Sequence, residues 1–197
     1  MTTPSPADPA AEALHFATQR QWEAWLRKHH ERSAGVWLRI ARKEAGAPSV
    51  SYAQALESAL CFGWIDGQKK ALDAQHWLQR FTPRRPRSIW SKVNRSKALA
   101  LIEQGRMQPA GLREVQRAQA DGRWDDAYDS ARTSTVPPDL QAALDAAPAA
   151  KAFFETLDGA NRYAVLWRVQ TAKLAPTRAR RIEQFVAMLA RGEKLHP

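Results

Sequence analysis

Six of the eight tryptophans lie between Trp22 and Trp90, so the largest apolar side chains, and the main core with them, belong to the first two-thirds of the chain. Around them the hydrophobic period changes along the sequence. Trp22, Trp25, Leu26 and His29 recur at helical spacing behind Thr18, and Gln21 completes a capping box. The spacing predicts one buried helix face, with Gly35 as the stop. Val36, Leu38 and Ile40 then alternate with Trp37 and Arg39, as in a short strand. A second capping box, Ser51 with Gln54, opens a helix whose inner face carries Tyr52, Leu56, Ala59 and Leu60, and Gly63 ends it. Residues 64–72 and 76–82 read as two strands of a hairpin turning at Asp73-Ala74-Gln75, closed by Pro83 and Pro86.

Helical signals take over beyond the hairpin. Ser88 is placed to cap a helix carrying Ile89, Trp90 and Val93, a segment at 97–104 stops at Gly105, and Pro109 opens a helix ending near Gly122. Further helices are expected to begin near Pro138, Pro148, Asp158 and Thr177, the last with Ile182, Phe185, Val186 and Leu189 as its apolar stripe. These elements imply an α+β fold, a small antiparallel sheet packed with helices and followed by a helical C-terminal unit. The expected organisation is a flexible tail at 1–17, an α+β domain at 18–128, a linker at 129–138 and a helical domain at 139–197.

Several classes are excluded. No apolar run approaches the roughly 18 residues of a spanning helix, and the first basic residue, Arg20, follows a stretch with no apolar core of the export-signal kind. One cysteine, Cys61, permits no internal disulfide and none of the usual zinc spacings. The rings of His29 and His30, adjacent on a helix, point apart. The expectation is a cytoplasmic protein with no metal and no cofactor.

The net charge of +10 is concentrated. Residues 69–97 hold nine basic side chains and one acidic one, a local +8, against +2 for the rest of the chain. Such a field attracts anions. Arg80, Arg84, Arg85 and Arg87 offer planar forks suited to phosphate or carboxylate. Lys69 and Lys92 add point charges, Trp64 and Trp90 aromatic faces, and Ser88, Ser91 and Asn94 hydrogen-bonding groups. A helix starting near Ser88 would add free backbone N–H groups. The bland alternative is that Arg80 and Arg85 pair with Asp66 or other carboxylates and hold the loop down. Asp66 itself, between Trp64 and Gly67, is a candidate general acid or base, though a carboxylate among arginines more often anchors an ion pair. Cys61, at the end of an apolar helix face, reads as a small buried hydrophobe.

The run FGWIDGQKK, RFTPRRPRSIWSKVN, GRMQPAG and DGRW resembles the longer members of the YdeI/OmpD-associated, bacteriocin-protection family. The C-terminal part, from PPDLQAALDAAPAAKAFFETL to NRYAVLWRVQTAKLAPTRARRIEQFVAMLARGE, is similar to that family's small helical domain, with its signature at Ala172-Lys173 and from Thr177 to Ile182. The resemblance implies a link to resistance against bacteriocins and to an outer-membrane porin, and brings no catalytic residues. The expected function is therefore a cytoplasmic, stress- or resistance-associated protein that holds an anionic small molecule on its basic segment. The alternatives are an enzyme using Asp66 in an arginine-lined pocket and a nucleic-acid-binding module, for which Trp64, Trp77 and Trp90 among arginines would be the stacking platform.

Overall fold

Thr18 Oγ1 accepts from the Gln21 N–H while the Gln21 side chain accepts from the Thr18 N–H, and Ser51 and Gln54 repeat the exchange. These two boxes start α1 (Gln19–His29) and α2 (Tyr52–Cys61). The computed structural model describes residues 10–197, and within them the fold is α+β, with eight α-helices and one three-stranded antiparallel sheet. The strands are β1 (Val36–Ala41), β2 (Trp64–Ala71) and β3 (His76–Pro83), in the order β1-β3-β2. Asp73 shapes the hairpin turn by accepting from the Gln75 and His76 N–H groups, both at 2.7 Å. The first of those bonds is the main reason its carboxyl titrates below the ordinary range.

The helix side of the sheet carries the core of the first unit. Trp22 is fully buried, 5.7 Å from the Phe81 ring and edge-on to Trp64 at 6.5 Å. Both buried indoles are satisfied: Trp22 Nε1 donates to the Ala55 carbonyl and Trp64 Nε1 to that of His30, each at 3.1 Å. Gly63, with φ of +74°, turns the chain out of α2, and a Cβ there would lie 2.9 Å from the Ala110 carbonyl oxygen. Helices α3 (Lys92–Glu103) and α4 (Pro109–Ala120) follow.

The described residues divide into two compact units, one running up to Ile89 and resuming at Asn94–Asp125, the other made of Trp90–Val93 and Asp126–Pro197. The second unit contains α5 (Pro138–Asp145), α6 (Pro148–Thr156), α7 (Gly159–Gln170) and α8 (Ala175–Ala190) around Leu140, Leu144, Phe154, Val165, Val169, Phe185 and Leu189. No helix of the described residues is long and apolar enough to cross a membrane.

Locally, the structure adds detail that the sequence pattern did not carry. Residues 1–9 of the expected tail lie outside the described residues, but 14–17 are docked. Leu14 exchanges backbone bonds with β1, donating to the Trp37 carbonyl and accepting from Arg39, and Phe16 lies 5.5 Å from Trp22. Strand β1 is at the sheet edge, and its free backbone groups recruit this segment. Helix α1 stops at His29, well before Gly35, with His30 donating back to Leu26. Trp25 is only partly buried, and His29 and Tyr52 are exposed. The segment read as a linker starts at Asp129, which is tied down by Lys92, Gln170 and Tyr163.

Ser88 does not open a helix. Its hydroxyl accepts from the Arg85 N–H and its own N–H donates to the Arg85 carbonyl, both at 2.9 Å, closing a turn around Pro86. The helix starts at Lys92, whose N–H is taken by the Tyr128 carbonyl at 2.8 Å. The free N–H groups expected as an anion cradle near Ser88 are therefore not there.

Candidate functional site

In β2, Asp66 faces Phe81 and Lys69 faces Gln79, so three steps on one strand answer two on the other. The extra residue is a bulge at Gly67-Gln68. Gln79, only 3% exposed, donates its side-chain amide to the Gly67 carbonyl at 2.9 Å and the Gln68 carbonyl at 3.2 Å, which satisfies the carbonyls the bulge takes out of the ladder. An added residue inverts the alternation beyond it. Lys69 is thereby placed on the helix side with Trp77, and Lys70 on the outer side with Trp37.

Each lysine lies over its tryptophan: Lys69 Nζ is 4.4 Å from the Trp77 ring centre and Lys70 Nζ 5.2 Å from that of Trp37. Arg80, directly across from Trp37 in the ladder, puts its guanidinium carbon 5.8 Å from the same ring. Ring faces attract cations without neutralising them. Arg39, exposed on β1, and Lys70 share one row across Leu78, so the outer face presents Arg39, Lys70 and Arg80 from three adjacent strands. Trp37 and Leu78 are the buried apolar floor beneath them, 9% and 2% exposed.

The remaining basic residues behave differently. Arg84 is 6% exposed and donates Nη1 to the Ile89 carbonyl at 3.2 Å. Arg85 and Arg87 project from the exposed turn. Lys92 pairs with Asp129 at 2.9 Å and Lys97 with Glu57 at 3.4 Å, while Arg95 donates to the Trp124 carbonyl. Trp64 is a core residue, and the buried Trp90 and Ser91 belong, with the exposed Lys92, to the second unit. Asn94 is partly buried at the point where the chain re-enters the first unit. Trp64, Lys69, Arg80, Arg84, Arg85, Arg87, Ser88 and Asn94 thus belong to the first unit, on different parts of it, while Trp90, Ser91 and Lys92 belong to the other.

Asp66 accepts a 2.7 Å hydrogen bond from the Tyr52 hydroxyl, and Tyr52 in turn packs at 5.9 Å from Trp77. The cleft beside this corner, about 520 Å³, is lined by Arg42, Lys43, Ser49, Tyr52 and Trp77, with neither Asp66 nor the arginines of the 80–87 stretch among its walls. Cys61 is buried, and burial pushes its thiol up to about 11, which keeps it protonated and a poor nucleophile at neutral pH. Sequence reasoning missed Trp37 and Arg39 as members of the basic surface, because they are about 30 residues from Lys70 and only the ladder joins them. The one available signal was their position opposite the apolar residues of β1.

Comparison with known proteins adds two matches. Residues 133–192 match the family described as Bacteriocin-protection, YdeI or OmpD-Associated, so that likeness is confined to the second unit. No curated protein and no solved structure matches the chain. Residues 14–114, half of the chain and most of the first unit, match a domain of unknown function, DUF8412, and the chain belongs to that family.

Proposed function

We propose that the protein binds an anionic ligand on the cations of its first unit, in the service of a protective role of the bacteriocin-protection kind that its second unit resembles. One observation carries the reading: Lys69, Lys70, Arg80, Arg85 and Arg87 have no carboxylate partner among the described residues, although their neighbours Lys92 and Lys97 do. Asp66, the carboxylate in the paired rows of the sheet, makes no ion pair among the described residues and accepts from the Tyr52 hydroxyl instead. Lys70 and Arg80, whose charged groups both lie within 6 Å of the Trp37 ring centre, repel one another without an internal partner, and an external anion relieves that repulsion. The reading places the protein in the cytoplasm, a compartment that suits a chain whose single cysteine is buried and has no second cysteine to pair with.

The test is a binding series at 50 and 200 mM salt with inorganic phosphate, inorganic polyphosphate and a 20-residue oligonucleotide. At least one should bind with an affinity that falls with salt, and replacing Lys69, Lys70, Arg80, Arg85 and Arg87 by Gln should remove that binding while the fold is kept. Absence of binding by all three probes at low salt would sink the proposal.

A further inference from the structure

We infer that the outer face of the sheet, with Arg39, Lys70 and Arg80 around Trp37, is a binding surface for the phosphodiester backbone of single-stranded nucleic acid. The inference rests on the anion-binding reading above and adds to it both the partner and two residues, Trp37 and Arg39, that lie outside the basic segment.

Charge complementarity comes first. Arg39, Lys70 and Arg80 make no ion pair among the described residues: the carboxylate in the paired rows, Asp66, lies on the helix side of the sheet across from Phe81, and Asp73, at the hairpin turn, is held by the His76 ring at 3.1 Å. The spacing argues for a polymer. Arg39 and Lys70 are rooted two strands apart, about 10 Å, with Arg80 two residues along the middle strand, about 7 Å away. Three cations rooted that far apart suit successive phosphates better than the oxygens of one. Lys70 and Arg80 are also kept from collapsing onto the backbone, because both lie within 6 Å of the Trp37 ring centre.

Shape then selects the single strand. Three strands make a face about 14 Å across, wider than the roughly 12 Å major groove of duplex DNA, which admits a two-stranded ribbon. A single strand can lie across the face and meet all three cations. Trp37 serves as their anchor rather than as a stacking platform, since it is nearly buried and its ring is overlaid by Lys70 and Arg80. Recognition should accordingly be of the backbone, without sequence preference.

Fluorescence anisotropy of the full chain with labelled 20-residue single strands of two unrelated sequences tests this. Both should bind alike, with log affinity falling against log salt at a slope of about −2, the value for three phosphates neutralised on a single strand. Arg39→Gln, an exposed change whose folding is checked by an unaltered thermal midpoint, should flatten the slope to about −1.4, and Arg39→Gln with Lys70→Gln to about −0.7. If Arg39→Gln leaves affinity and slope unchanged while Arg85→Gln with Arg87→Gln removes binding, the anion-binding reading stands and this surface is wrong. A duplex of the same length bound as tightly as the single strand, or vesicles containing phosphatidylglycerol bound while both strands are not, would also overturn the inference.

Discussion

Trp22 and Trp25 have the same residue type on the same helix, yet only one is core. Trp22 is fully enclosed among Phe16, Trp25, Trp64 and Phe81 and donates to Ala55, whereas Trp25, stacked on Trp22 at 5.3 Å on one side and on the exposed His29 at 4.8 Å, remains partly open. Trp22→Ala should therefore cost about 3–5 kcal/mol and Trp25→Ala about half of that, because the loss scales with the buried volume removed. Urea denaturation of the two variants checks this, and equal costs would contradict the assignment. The arginines divide in the same way. Arg84, Arg85 and Arg87 look equivalent in sequence, but Arg84 is buried against the Ile89 carbonyl while the other two project from a turn. A triple substitution of all three would mix loss of fold with loss of binding.

At the scale of elements, the hairpin is where sequence pattern and structure part most informatively. The strand ends and the Asp73 turn follow from local chemistry: an Asx turn, Pro83 at the end of β3, and capped helices on the other side of the sheet. The bulge does not, because an inserted residue leaves the apolar pattern of a polar segment such as Gly67-Gln68-Lys69-Lys70 unchanged. Gln79 is the residue that makes it affordable. Gln79→Leu would leave the Gly67 and Gln68 carbonyls without their side-chain donor and should cost roughly 1–3 kcal/mol. It should also loosen the placement of Lys69 and Lys70, seen as faster hydrogen exchange at residues 67–70 than in the parent. Unchanged stability and exchange would mean that the bulge is held by the ladder alone.

Across the whole molecule, ionisable groups are distributed unevenly between the units. Five carboxyls of the second unit titrate below their ordinary values: Asp129, Asp139, Asp145, Asp158 and Glu193. For Asp139 the leading cause is the hydrogen bond from the Arg178 guanidinium, for Asp145 that from Lys151, and for Glu193 that from Arg191. Among the described residues of the first unit, Asp73 and Asp121 are the carboxyls held low. A carboxyl held low in the folded state contributes stability above its unfolded value, and that contribution is lost as pH falls through the folded value. Acidification from pH 6 to below about 3.8 should thus destabilise the second unit more than the first, each exposed pair adding little by itself. Hydrogen exchange should rise in α5–α8 before it rises in β1–β3, and Asp139→Asn should remove part of that pH dependence. The opposite order would refute the assignment.

The sequence by itself determined the elements whose signals are local. Both capping boxes, the proline-opened helices and the hairpin turn are contacts between residues a few positions apart, and they set an α+β chain with a basic stretch at 69–97. Which cations are free was decided only by the tertiary structure. Lys97 meets Glu57 across 40 positions and Lys92 meets Asp129 across 37, whereas Lys70 and Arg80 meet the ring of Trp37. Local composition could count those charges but could not say which would find a carboxylate, because a partner at that separation is chosen by how the elements pack. Arg39 joined the basic surface for the same reason, through the β1–β3 ladder, and a single bulged residue settled which lysine faces it.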